Sequence, residues 1–450
     1  MRRCLRFAIP LIGAQLLHTG HGLADMLVAG QLGRAEMAAA GVAAMLWFVS
    51  SLLCLGLLAS LSPLLSERIG QRRFTAVGYL FRQGLWLGAL IGAAATCLLI
   101  AFSWSLPLWG IQQELIPLIR QHALTACWSL LPVAILMTCR NLCEATQRTK
   151  PILTVTLLGL VVNVLGNLGL GLGWFGLPKL GLQGIGISTT LVSLSMMFSL
   201  LYLLRGKAYR RYQLFSQRQQ PRLSDFSLIL GLSVPIFFAL VFESGLFAAT
   251  MIQMGMLGTL QTAAHSLAMS ATSFCYMFPL GLSFALIARV GQVYGRGGGA
   301  RGGASLQLRV QSGILLTLLF AALTSLALVV FRHPIAALYT DDQAVRGLAA
   351  SLILLAAIFQ FSDGAQATLL GMLRGLQDVR VPVLINAFSY LVAFAIGAWL
   401  AHKTSLGAYG LWIGLICGLT ISALTLGIRL WFVTRKFATA ADLQVVPQTV

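Results

Sequence analysis

Acidic residues are scarce in this chain. Its 450 residues hold 12 Asp+Glu against 31 Lys+Arg, and charged residues make up only 10% of it. An average soluble domain carries roughly 25%. With 58% of residues hydrophobic, too few polar side chains remain to cover a soluble surface, so lipid must cover most of it. Other absences narrow the function. There is no GxxxxGK[ST] phosphate loop and no long polar domain, which argues against an ATP-driven pump. The glycines Gly297-Gly298-Gly299 and Gly302-Gly303 have no strand before them and read as flexible linker. No nucleophile–base set falls at one depth, so no enzyme and no cofactor are expected. The eight cysteines lack metal-ligand spacing. Cys139 and Cys143 lie close together on an apolar helix, and all eight read as small buried hydrophobes. No cleavable signal peptide is evident, because Arg2, Arg3 and Arg6 precede an apolar segment running to about Val28.

What is present is apolar length. A spanning helix needs about 20 mostly apolar residues. Twelve stretches qualify: 7–29, 38–61, 84–105, 119–141, 152–172, 184–204, 228–252, 262–288, 313–331, 347–371, 382–401 and 407–431. An even number puts both termini on one side. Of the 31 Lys+Arg, 25 fall on that side; the other six are Arg34, Arg120, Lys179, Arg332, Arg346 and Lys403. The positive-inside rule then makes both termini cytoplasmic. It also explains the net charge of +19 without nucleic acid as a partner.

The chain repeats itself at half its length. At an offset of 225, Pro10 pairs with Pro235, Gly30 with Gly255, Leu32-Gly33 with Leu257-Gly258, Gly56-Leu57 with Gly281-Leu282, and Gly70 with Gly295. Leu180-Gly181 pairs with Leu406-Gly407 at 226, and Gln147-x3-Pro151 is similar to Gln377-x4-Pro382. Six spans per half enter the membrane in the same direction, which is a parallel repeat about an axis along the membrane normal. The expected fold is an all-α integral membrane protein with twelve transmembrane helices in two pseudo-symmetric six-helix bundles. The boundaries are an N-lobe 1–205, a basic cytoplasmic linker 206–226 serving as the joint, a C-lobe 227–434 and a cytoplasmic tail 435–450.

A carboxylate at the bilayer centre costs roughly 2.5 kcal/mol or more. Three acids at that depth are therefore functional candidates: Asp25, Glu243 and Asp363. On the first span Gln15, His18, Gly22 and Asp25 share one helical face, and on the fifth Asn163 and Asn167 stand one turn apart. Together they make a candidate polar site; the alternative for the asparagines is packing glue between helices, and for His18 a satisfied core position. On the tenth span Gln360, Asp363 and Gln366 share a face. On the eighth His265, Met269, Thr272 and Tyr276 form a stripe, although His265, near a span end, reads as interfacial. Glu243, Asp363 and the Tyr276 hydroxyl would offer hard oxygen ligands to a monovalent cation such as Na+, or a pair able to share a proton. Phe237, Phe238, Phe242, Phe247, Phe359 and Phe361 flank these acids, and aromatic faces with acids suit an organic cation. Taken singly, each aromatic reads as core or lipid-facing. Glu144 with Arg148 at i+4 reads as a structural helix pair. Asp341-Asp342 reads as a solvated turn or helix cap. The remaining acids, Glu36, Glu67, Glu114, Asp225, Asp378 and Asp442, read as solvated.

Several ordered motifs together resemble one family. They are Asp25-x4-Gly30, Pro235-x7-Glu243, Tyr339-Thr-Asp-Asp, Phe359-Gln360-x-x-Asp363 and Arg374-Gly375-x5-Val381-Pro382. From about Pro10 to Thr434 the chain resembles the multidrug and toxic compound extrusion (MATE) family, in its NorM-like bacterial branch. The resemblance implies a multi-pass antiporter of the bacterial inner membrane that exports amphipathic organic cations in exchange for Na+ or H+. It implies a cation site of Glu243, Asp363 and Tyr276, a coupling role for Asp25 with Asn163 and Asn167 nearby, and a drug contact at Asp341; the reading of the residues themselves adds Gln360, Phe361, Phe242 and Met269 as candidate drug contacts. Only about six residues precede the first span, where relatives often have a longer lead-in, a departure from the family pattern. A lipid-linked precursor flippase of the same superfamily is the alternative. Such flippases usually have more than twelve spans and a basic cleft, where this chain has acids.

Overall fold

Lipid offers no hydrogen-bond partners, so every backbone group of a spanning segment must be satisfied within it. The chain meets this with helices throughout. A computed structural model describes residues 2–216, 219–297 and 300–439. Twelve helical segments follow in order: α1 (Arg2–Leu32), α2 (Arg34–Gly70), α3 (Phe74–Trp109), α4 (Leu115–Ala145), α5 (Lys150–Gly171), α6 (Leu182–Leu204), α7 (Leu223–Leu257), α8 (Thr259–Gly295), α9 (Ala300–Tyr339), α10 (Gln343–Gly375), α11 (Arg380–Lys403) and α12 (Ala408–Thr439). Among the described residues, α2 to α12 are long and apolar enough to cross a membrane. The first helix has the length, but Gln15, His18, His21 and Asp25 lower its apolar character. With α1 the count is the expected twelve. Gln217, Arg218, Gly298, Gly299 and Asp442 lie outside the described residues, as does most of the tail 435–450.

The repeat is visible in the backbone itself. Positive φ angles recur at matched positions: Gly33 (153°) and Gly258 (134°), Arg72 (60°) and Gly297 (86°), Gln147 (57°) and Gln377 (61°), Gly181 (60°) and Gly407 (49°). Left-handed backbone is unfavourable for side chains other than glycine, so its recurrence at Gln147 and Gln377 marks the same turn built twice. Packing repeats too. In the first half α4 lies against α2, α3 and α6; in the second, α10 lies against α8, α9 and α12.

The chain forms two compact units. One is Gly13–Phe237; the other joins the stretch up to Ile12 with that from Phe238 onward. Each half's first helix changes unit two residues after its internal proline, Pro10 in α1 and Pro235 in α7. The junctions are built alike. In the first unit a Cβ on Gly56 would come within 2.8 Å of Phe237 Cα; in the second a Cβ on Gly281 would come within 2.8 Å of Ile12 Cα. A break in α2 at Ser60 is satisfied by the start of α7: Ser60 Oγ donates to the Ile229 carbonyl (2.8 Å) and Ser233 Oγ to Ser60 Oγ (2.7 Å). The described parts of the linker, 206–216 and 219–226, lie within the first unit. The second unit's core centres on Trp412 and Phe359, with Leu352, Ile353 and Ala356.

Several side chains depart from the sequence expectation. Glu144 pairs with Arg140, not Arg148: Arg140 Nε lies 2.9 Å from Glu144 Oε1. The helix ends at Ala145 and the positive φ of Gln147 carries Arg148 out of helical register, over the Tyr209 ring. Asp225 and Asp378 are not simply solvated, since Tyr79 Oη donates to Asp225 (2.5 Å) and Arg429 pairs with Asp378 (2.7 Å). Cys97 is exposed and Cys417 half-buried, while the other six cysteines are buried as expected.

Packing of α11 on α12 brings two backbones into close approach. A Cβ on Gly414 would sit 2.4 Å from Gly397 Cα and 2.6 Å from the Ala393 carbonyl oxygen. Gly414→Val is expected to lower stability by about 1–3 kcal/mol. Gly231→Ala, where nothing lies within 4 Å of the added carbon, should leave it unchanged or slightly raised. Thermal unfolding in detergent distinguishes the two.

Candidate functional site

Each unit holds its own polar cluster within the spans. In the first unit the cluster is built on α1 and α5. Asp25 Oδ1 accepts two hydrogen bonds, from Asn163 Nδ2 (2.9 Å) and Asn167 Nδ2 (2.6 Å). Both asparagines are buried, at 2% and 0% exposure. Asn167 opens a π-helical turn, Asn167–Gly171, of a kind frequent at functional sites. Standing one turn apart, both amides reach one carboxylate oxygen from the same helix. Their amide oxygens, Asn163 Oδ1 and Asn167 Oδ1, are buried and have no hydrogen-bond partner. An acid flanked by two unengaged amide oxygens is a donor set for a proton or a small hard cation.

Gln15 does not join this cluster, although it shares the α1 face. Its Oε1 accepts from Arg140 Nη2 (2.8 Å), so Gln15, Arg140 and Glu144 form a separate buried network between α1 and α4. His18 is exposed, not a satisfied core residue, with its ring 5.7 Å from that of His21.

In the second unit Glu243 comes from α7, Tyr276 from α8 and Asp363 from α10. Tyr276 Oη is 3.5 Å from Glu243 Oε1. Glu243 and Asp363 lie close enough for their charges to interact. Gln360 is held by donating Nε2 to the Thr272 carbonyl (3.1 Å), and Gln366 donates to Tyr390 Oη. His265 is buried against Trp412 and not interfacial, with ring centroids 5.7 Å apart. Met269 packs against the core, while Phe242 and Phe361 are 41% and 39% exposed. Asp341 stands apart: it is exposed, 2.7 Å from Arg346, and Asp342 beside it caps α10 by accepting from Ala344 N (2.8 Å). Among the described residues no bond joins Asp341 to the carboxylates, and no group of three or more His, Cys, Asp or Glu is placed to hold a metal.

Two members of this cluster escaped the sequence reading. Arg374, read there only as part of a motif and one of the basic residues of one side, lies within α10, where its charge interacts with Glu243, Tyr276 and Tyr390. Tyr390 lies near enough to Glu243 and Asp363 to interact with both. A usable indication existed for the arginine. At the offset that pairs Gln147 with Gln377, Arg374 is the counterpart of Glu144, and a charge recurring there marks a built position.

Comparison with known proteins follows this geometry. The MatE family model matches residues 10–168 and 235–399, two blocks that begin 225 residues apart. A protein named probable multidrug resistance protein NorM, from Acinetobacter baylyi, is 34% identical over 432 residues, covering 95% of each chain. A multidrug resistance protein NorM from Aliivibrio fischeri is 30% identical over 449 residues, covering 98% of this chain and 96% of its own. Among solved structures, MATE in the bent conformation superposes with a TM-score of 0.87 at 18% identity, covering 98% of this chain and 96% of that one, a likeness of fold. A eukaryotic MATE transporter, AtDTX14, gives 0.86 at 19% identity, with 99% and 98% covered.

The Arg140–Glu144 pair allows a direct test of burial. The Glu144 side chain is 2% exposed and that of Arg140 16%. Glu144→Leu strands the arginine and is expected to destabilise by about 3 kcal/mol or more, whereas Arg140→Met with Glu144→Leu should recover much of that loss. Denaturation midpoints of the single and double variants measure both.

Proposed function

The chain belongs to the MATE family, and from that premise we propose that it is an antiporter, not an enzyme, exporting amphipathic organic cations in exchange for Na+ or H+. The observation carrying this reading is the grouping of Glu243 and Asp363 inside the spans of the second unit, with Tyr276 alongside. Two carboxylates in a low-dielectric setting are stable when a proton, a cation or both neutralise them. A coupling ion and an organic cation therefore compete for the same charge. Competition for one site, combined with access to alternate sides, is the minimum an exchanger needs. The relatives named multidrug resistance proteins support a small-molecule substrate.

In this reading Glu243, Asp363 and Tyr276 hold the coupling ion. Gln360, Met269, Phe242 and Phe361 supply polar and aromatic contacts to the drug, and Asp341 attracts cations at the outer end. Asp25 with Asn163 and Asn167 forms a second ion-responsive site. Two lobes, 1–205 and 227–434, alternate access about the bundle axis. The location is the bacterial inner membrane, with both termini cytoplasmic by the positive-inside rule.

Efflux of a fluorescent organic cation from proteoliposomes, under an imposed Na+ or pH gradient, tests the proposal. Export is expected to follow one of the two gradients, which identifies the coupling ion. Glu243→Gln and Asp363→Asn should each reduce gradient-driven export at least about tenfold, the scale of losing one charge interaction of ~1.4 kcal/mol. Export indifferent to both gradients, or unchanged in both variants, would remove the second-unit acids from coupling.

A further inference from the structure

We propose that the strap formed by residues 205–216, held together with residues 219–223 against α3, is a binding site for the headgroup of an anionic phospholipid. The proposal begins with how firmly this connection is held. A linker of this length between bundles is ordinarily mobile. Here one face of α3 is written to grip it: Tyr79, Arg82, Gln83 and Trp86 recur at i, i+3, i+4 and i+7. Arg82 Nη1 donates to the carbonyls of Gln213 (2.6 Å) and Leu214 (3.2 Å), and its Nε to Gln219 Oε1 (3.0 Å). Gln83 donates to the Gln220 carbonyl (2.9 Å) and accepts from Arg222 N (3.0 Å). Trp86 Nε1 donates to the Gln219 carbonyl (3.0 Å). At Gly78 the strap approaches so closely that a Cβ would lie 2.0 Å from the Tyr212 carbonyl oxygen. Tyr209, Tyr212 and Leu214 are buried beneath it, and that burial pushes the Tyr209 phenol well above its usual range.

Anchoring through those residues leaves the intervening charges outward. Arg205, Lys207, Arg210 and Arg211 are all exposed. Among the described residues the ion pairs are Arg140–Glu144, Arg346–Asp341 and Arg429–Asp378, and none includes these four. Arg205 lies over the Phe215 ring and Arg211 over Phe74. Four like charges on a fixed scaffold repel one another, and an anion relieves that repulsion. The same surface exposes Trp86, Tyr202, Phe215 and Leu223, the last at 85%. Aromatic and aliphatic groups beside basic ones, directly after the end of a spanning helix, match the headgroup level of a bilayer. A soluble anion would use the charges and leave the apolar groups wet; a phospholipid satisfies both.

The test uses the purified full-length protein in neutral detergent, titrated with short-chain phosphatidylglycerol or with phosphatidylcholine of equal chain length. Saturable binding of phosphatidylglycerol alone is expected. Arg205→Gln/Lys207→Gln/Arg210→Gln/Arg211→Gln should weaken it by about tenfold or more. Arg380→Gln/Arg435→Gln/Lys436→Gln, in the other unit, should leave it intact. If the fourfold variant does not fold, Lys207→Gln/Arg210→Gln decides, with a measurable weakening expected. Three results would overturn the proposal: equal binding of both lipids, equal weakening by the two charge sets, or displacement by glycerophosphoglycerol at the same concentration at which phosphatidylglycerol itself saturates, which would indicate a free-anion site without lipid contact. Failure of ion-coupled export would not bear on it.

Discussion

An ionised carboxylate inside a bilayer is the constraint around which this molecule is organised. Each such acid costs several kcal/mol unless it is neutralised or bonded. Of the chain's 12 acidic residues, Asp25, Glu243 and Asp363 lie deep in the spans, and the first two have partners. Asp25 receives two amide donors. Glu243 has a phenol within reach, and a guanidinium on α10 interacts with it. The amide donors, the phenol and the guanidinium stabilise the charged form of these two acids.

The scaffold that holds these acids is one design executed twice. Matched positive-φ turns, matched prolines and matched glycine junctions give both halves the same backbone. The side chains placed on it differ. The first unit presents one acid with asparagines; the second presents two acids with tyrosines and an arginine. Glu144 and Arg374 occupy corresponding positions with opposite charge; Glu144 is buried beside Arg140, and Arg374, half-buried, has its charge near Glu243, Tyr276 and Tyr390. A duplicated frame with divergent contents offers two chemically distinct polar clusters without two folds.

Much of this was legible in the sequence because membrane folding leaves a coarse record. Apolar length marks spans, basic residues mark one side, and a repeat of prolines and glycines marks the two halves. The Asp25–Asn163–Asn167 cluster was readable because amides one turn apart stand out on an apolar helix. What remained hidden depends on local turns and long side chains. The Arg140–Glu144 pairing turned on where α4 ends and on the positive φ of Gln147, neither of which a spacing rule contains. The π-turn at Asn167 leaves no pattern in composition. Arg374 looked like a loop residue because arginine near a span end usually is one. The strap over α3 looked like a free joint because its anchors are backbone carbonyls, which carry no sequence identity.

The central claim is that one set of carboxylates serves both ion and drug, and equilibrium binding tests it most directly. Affinity of the purified protein for a fluorescent organic cation would be measured across a series of Na+ concentrations and pH values, without any gradient. Shared carboxylates require the affinity to fall as the coupling ion rises, with the reciprocal effect of drug on ion binding. They also require that dependence to vanish in Glu243→Gln/Asp363→Asn. An affinity independent of both Na+ and pH, or a dependence that survives in the double variant, would contradict the account.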